Sequence, residues 1–223
     1  MSRPAFYALE SGGWRDYVTL LHLPYTAWHL SYVVIGATLS LEFSGKRLLA
    51  ALASFFLALG IGAHALDELN GRPLQTRIPR VVLIGLAAVS IALATAIGIV
   101  AALTWTPPLL LFVAVGAFLV VAYNLELFGG AFHSDLWFGL AWGAFPLLAA
   151  YFVEAETLKP EALLAATFAV LASLAQRALS TDVRDIRRRG LGDVAMLKSP
   201  ETALRLLTLA MVSLAAALLV LRF

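Results

Sequence analysis

Seven near-continuous apolar runs limit what this chain can fold into more than any other feature. They are Leu20–Leu41, Leu48–Leu66, Val81–Leu103, Leu109–Leu127, Leu136–Val153, Ala162–Leu179 and Ala203–Leu221. A helix crosses a bilayer with about 20 apolar residues, and roughly 17 to 25 are tolerated. The runs lack the period-two alternation of a membrane barrel, so strands are set aside. Of all residues 61% are apolar and 13% charged, with a mean hydropathy of +0.87. Soluble domains carry about 25% charged residues, so this excess of apolar surface points to lipid. The expected fold is all-α, one integral membrane domain over residues 1–223 with about seven transmembrane helices.

Punctuation between the runs supports this division. Thr106-Pro107 and Ser199-Pro200 each read as a cap followed by proline at the first helical position. Pro79 and Pro160 also open helices, and Ser134-Asp135 reads as a cap with an acid in the first turn. No basic segment with a short apolar core and cleavage site precedes the first run, so no cleaved signal peptide is expected. The chain has no cysteine, which removes disulfides, thiolate metal sites and a cysteine nucleophile.

The pI near 9.1 does not indicate nucleic acid, because Lys and Arg sit in loops between apolar runs. Seven crossings put Arg15, Arg72, Arg77, Arg80, Arg177 and Arg184 on one side, together with Arg3, Arg187 to Arg189 and Lys198. The other side holds Lys46, Arg47, Lys159 and Arg222. The positive-inside rule then predicts a cytoplasmic N-terminus and an outer C-terminus; the membrane expected is the cell (inner) membrane.

Two loops on the cytoplasmic side carry the chemistry. "GAHALDELNGRPLQTRIPR", Gly62 to Arg80, ends the second run, and "RALSTDVRDIRRRGLGD", Arg177 to Asp193, ends the sixth. His64 stands three and four residues before Asp67 and Glu68, and Asp182 stands three before Asp185. Side chains at those spacings share a flank of a helix. Two acidic pairs facing each other could hold magnesium, which takes carboxylate oxygen and shares its shell with substrate phosphates. Arginines beside them offer forked donors to phosphate oxygens. Carboxylates, arginines and a membrane cavity suggest a diphosphate head on a hydrocarbon tail. The same residues also fit ordinary interfacial ion pairs, which are nearly neutral in energy. The run Arg187 to Arg189 fits lipid headgroups. His22 and His29 lie seven apart on one face, where they line a cavity or simply pack, and His133 beside Ser134 reads as a cap-region residue.

The pattern resembles the UbiA-type superfamily of intramembrane prenyltransferases. "HALDELNGRPLQT" occupies the place of that family's first acidic motif, and "STDVRDIRRRG" the place of its second. Tyr123 resembles the tyrosine ending the fourth helix, and Gly143 to Pro146 the Gly-x-x-Pro of the fifth. The resemblance covers Trp14 to Thr208. It implies a helical bundle around a central cavity that opens sideways to membrane lipid. It also implies transfer of an isoprenoid from a prenyl diphosphate to an aromatic or other lipophilic acceptor. On this basis His64, Asp67, Glu68, Asp182 and Asp185 are the expected catalytic residues, and the four acids the Mg²⁺ ligands. Arg72, Arg77, Tyr123, Asn124, Arg177, Arg184 and Arg189 are expected to bind substrate. Trp28, Tyr32, Trp137, Trp142 and Phe145 join Tyr123 as aromatic faces for an allylic cation.

The sequence also departs from the pattern. His64 replaces an asparagine, Glu68 and Arg72 stand where aspartates belong, and Arg189 falls where a further acid is common. Seven runs stand against the family's nine, which would widen the lateral opening or leave a face for a second subunit to cover. Fewer acids and more arginines shift anion binding from metal toward side chains. A degenerate relative that binds an isoprenoid or lipid without transferring it is therefore the second reading. Other membrane classes fit less well. Ionisable residues cluster at helix ends rather than at midplane, unlike transporter ion routes. No lysine lies in Leu206–Leu221 for a retinal Schiff base, and no histidine lies in the last two runs for a rhomboid-like protease.

Overall fold

The computed structural model describes residues 4–189 and 194–223, with the side chains of 4–187 and 196–223. Every regular element among them is helical. A short α1 (Trp14–Leu20) leads into α2 (Leu23–Leu39). Then come α3 (Gly45–Leu69), α4 (Arg80–Thr104), α5 (Leu109–Asn124), α6 (Asp135–Ala155), α7 (Pro160–Arg189) and α8 (Val194–Val220). By length and composition, five of these, α3, α4, α6, α7 and α8, can cross a membrane, while α5 is apolar but shorter. The chain is thus a helical bundle with the character of an integral membrane protein.

Helix α2 carries several polar residues and lies deep in the bundle. In α2, ten of 17 residues are buried, including Trp28, Tyr32 and Val33. Several of its polar residues are satisfied within the helix. Ser31 and Thr38 donate to the carbonyls of Ala27 and Val34, both at 2.8 Å. Trp28 Nε1 donates to the Tyr32 hydroxyl at 2.6 Å. Polar side chains bonded in this way are tolerated where protein rather than lipid surrounds the helix. The helix packs chiefly on α6 and α8. A Cβ at Gly36 would meet the Leu147 carbonyl oxygen at 2.1 Å, so only glycine permits the α2–α6 approach. Gly143 likewise lets α6 approach α7, where a Cβ would lie 2.6 Å from the Ala169 carbonyl oxygen. By contrast α4 exposes Val81, Val89, Val100 and Leu103, the face expected toward lipid.

Two helix-start readings shift. α8 begins at Val194 and carries Pro200 inside it, so Ser199-Pro200 does not open the helix. Proline in the second turn removes one backbone donor, which a helix accommodates by bending. Likewise α5 starts at Leu109, two residues after Pro107, because Leu109 N–H bonds back to the Thr106 carbonyl in a tight entry turn. The Pro79, Pro160 and Ser134-Asp135 positions match helix starts, and Ser134 Oγ accepts from Trp137 N–H at 3.3 Å.

Two segments are wound as π-helix, Phe56–Ala63 within α3 and Gly139–Ala144 within α6. Such wider turns re-aim backbone carbonyls and collect at functional sites. Both lie beside the cavity described next.

Candidate functional site

A cavity of about 520 Å³ opens at the end of the bundle where α3 and α5 finish. It is walled by α2, the end of α3, the end of α5, α6 and the second half of α7. The segment Pro4–Tyr7 lies along it. Seven expected site residues meet there: His64, Asp67, Tyr123, Asn124, Arg177, Arg184 and Asp185.

The α7 wall follows from helical spacing. Arg177, Ser180 and Arg184 lie three and seven residues apart and so share one face. Arg177 is held firmly. Its Nε and one terminal nitrogen donate to Asp135 Oδ1 and the Tyr123 hydroxyl, both at 2.5 Å, and the guanidinium lies 4.9 Å above the Phe138 ring. Arg184 donates to Thr181 Oγ1 at 3.0 Å and interacts electrostatically with Asp67 across the cavity. The Asp67 carboxylate has no hydrogen bond among the described residues and faces the cavity.

All four histidines of the chain line this one cavity. His29 Nδ1 meets the Trp142 carbonyl at 2.9 Å, His64 Nδ1 the Gly60 carbonyl at 3.2 Å, and His133 Nδ1 the Tyr123 carbonyl at 3.0 Å. Gly60 and Trp142 belong to the two π-wound segments. A carbonyl only accepts, so Nδ1 carries the proton in these three rings. His22 stacks on His64 with centroids 4.0 Å apart and shares a 2.9 Å hydrogen bond with the Tyr7 hydroxyl. Burial holds the Tyr7 phenol well above its usual range, so it stays protonated.

The remaining expected residues lie elsewhere. Glu68 does not face Asp182, and the four-carboxylate metal set does not form. The Glu68 carboxylate is fully buried under the loop that follows α3. It accepts from Leu74 N–H at 3.0 Å and from Thr76 N–H and Oγ1, both at 2.8 Å. Arg72 donates to the carbonyls of Thr76 and Ile78 at 2.7 and 3.0 Å, closing the same loop. Arg77 and Asp182 are exposed and do not line the cavity. The Arg189 side chain and Asp193 lie outside the described residues. Among the aromatics, Tyr123 and Trp142 line the cavity, while Trp28 and Tyr32 sit in the core. No group of three His, Asp or Glu side chains among the described residues converges as a metal site. Asp67 and Asp185 remain on the cavity wall.

Gln176 was not foreseen. It is 3% exposed, lines the cavity and leaves Oε1 without a partner among the described residues. A polar amide one residue before Arg177, inside an apolar run, is the signal that could have found it.

Behind the polar cavity lies an apolar cleft between α3, α4, α5 and α6. Small residues floor it, among them Ala58, Ala94, Gly98, Gly116 and Ala117. Leu59 and Trp142 line both spaces. Compared with protein-family models, curated proteins and solved structures, the chain matches none.

Proposed function

We propose that the chain is a UbiA-like intramembrane prenyltransferase crossing the membrane seven times, with the cavity mouth cytoplasmic. It moves an isoprenoid from a prenyl diphosphate to a lipophilic acceptor. The observation that carries this reading is that an arginine-bearing polar cavity and an apolar cleft lie side by side, with Leu59 and Trp142 as their common wall. A ligand with an anionic head and a hydrocarbon tail suits both spaces at once.

Arg177 and Arg184 take the diphosphate. Arg177 is already fixed by Asp135, Tyr123 and Phe138, so it stabilises developing negative charge without reorganising. Magnesium, when bound to Asp67 and Asp185, supplies further charge neutralisation. The Tyr123 and Trp142 rings present π faces to the allylic carbon. The C–O bond breaks with its electron pair on the diphosphate, and the acceptor's pair closes the new bond. The neutral His64 imidazole takes the proton that the acceptor loses. A second reading, binding without transfer, is favoured by one observation. Glu68 and Arg72, both in the first motif, are consumed by loop structure.

The test is titration of purified protein with farnesyl diphosphate, with and without magnesium and a phenolic acceptor, following melting temperature and diphosphate release. Stabilisation with release supports transfer. Stabilisation without release under every condition leaves binding alone, and no response removes both readings.

A further inference from the structure

Pro4 to Tyr7 form part of the cavity wall although they belong to no helix. From Leu9 onward the chain is pinned through its backbone. Leu9 N–H donates to Thr19 Oγ1 at 3.0 Å, and Gly12 N–H to Asp16 Oδ1 at 2.9 Å. Asp16 Oδ2 in turn accepts from Arg77 N–H at 2.9 Å, which ties this anchor to the loop after α3. Before Leu9 the attachment changes in kind. Ala8 N–H bonds to the Ala5 carbonyl at 3.1 Å, inside the stretch itself. Among the described residues, no backbone group of Pro4 to Tyr7 bonds to another element.

Two rings hold the stretch instead. The Arg205 guanidinium of α8 lies 5.0 Å over the Phe6 ring, which meets Tyr25 edge-on at 6.4 Å. Tyr7 meets Tyr25 edge-on at 5.4 Å, and its hydroxyl lies 2.9 Å from His22 Nδ1. The phenol keeps its proton, so the hydroxyl donates and His22 Nδ1 accepts. Arg184 acts electrostatically on the same phenol, so Tyr7 sits near an arginine of the cavity wall. The stretch therefore runs from α1 past the start of α2 to α8. A neutral hydrogen bond and edge-on ring contacts are weak ties, and segments held by few contacts open well before the bundle does.

We infer that Pro4 to Ala8 form a strap over the cavity mouth, hinged at Leu9 and latched by the Tyr7–His22 hydrogen bond, which admits water-borne solutes only when it lifts. Lifting parts Phe6 from Arg205 and Tyr7 from the His22–His64 stack, and it uncovers Arg184. Closing returns both rings to these seats. The inference rests on the contacts of the strap and stands apart from the transfer reading.

The chain has no cysteine, so one introduced thiol reports access without interference. Ser180 is buried and lines the cavity, and Lys46 is exposed at the other end of the bundle. Ser180→Cys and Lys46→Cys are made separately in the full chain, in lipid nanodiscs. Each is treated with trimethylammonium-ethyl methanethiosulfonate, a permanent cation that does not cross through lipid. The thiol at 180 is expected to react at least about tenfold more slowly than the thiol at 46. Reaction through a rapidly opening strap follows the open population, so loss of the latch bond in Tyr7→Phe should speed modification at 180 about fivefold to tenfold. Phe6→Ala combined with Tyr7→Ala should speed it further, and neither change should alter the rate at 46. Tyr7→Phe removes a single oxygen, so the test remains readable if the double variant does not fold. Fast reaction at 180 in the otherwise unaltered chain overturns the inference, because the mouth is then open. Slow reaction that Tyr7→Phe leaves unchanged also overturns it, because something other than the strap then shields the cavity. Neither rate depends on whether farnesyl diphosphate binds, so failure here and failure of the transfer reading are told apart.

Discussion

The two ends of the bundle differ in how many of their polar groups are left open. At the end bearing the chain terminus, Arg222 donates to the carbonyls of Thr38 and Ser40, capping α2. Nearby, Arg47 donates to the carbonyls of Val153 and Glu154 and pairs with Glu156 at 3.0 Å. Arginine there closes helix ends, which otherwise leave carbonyls unpaired. At the cavity end, Arg184 and Asp67 line open space. Saturated polar groups stabilise, and unsaturated ones held in place are available to a ligand. The same contrast divides two neighbours on α3: Glu68 is saturated by its loop and Asp67 is not.

Substitutions can break this contrast. The largest effect is expected from Glu68→Ala, which strands three buried donors and should cost ~3 kcal/mol or more in chemical unfolding. A loss within the range of a surface mutation would show that the loop does not depend on Glu68. Arg222→Ala comes next. It should cost about 1 to 2 kcal/mol in the same assay and leave the response to farnesyl diphosphate unchanged. A weakened ligand response there would mean the two ends are coupled. Asp67→Asn should have the smallest effect on folding, within about 0.5 kcal/mol, because the carboxylate accepts no hydrogen bond from a described residue. It should nonetheless alter diphosphate binding, measured by the ligand-induced rise in melting temperature. A large folding loss would place Asp67 with the saturated groups.

The helices were legible because apolar length and proline punctuation are local signals. Each apolar run has a helical counterpart, and the shifts fall at Pro107 and Pro200, where helix entry depends on neighbouring carbonyls. The site was legible in part. Asp67 and Glu68 are adjacent, and a helix turns about 100° per residue, so the two carboxylates point apart. Which of them met the cavity depended on the following loop folding back, with Gly71, Arg72 and Gln75 at positive φ. On α7 the spacing of Arg177, Ser180 and Arg184 defines the cavity face, and Asp182 falls off it. His22 and His29 had two open readings, and only the packing of α2 against α3 and α6 places them in the cavity.

The central claim is that the cavity, and not the loop arginines, binds the anionic head. Farnesyl diphosphate stabilisation should be compared for the wild-type chain, Arg184→Ala and Arg77→Ala. Ligand binding to the folded state raises the melting temperature by mass action. The account predicts that Arg77→Ala keeps the wild-type shift and Arg184→Ala loses most of it. Equal loss in both variants, or a full shift in Arg184→Ala, would contradict it.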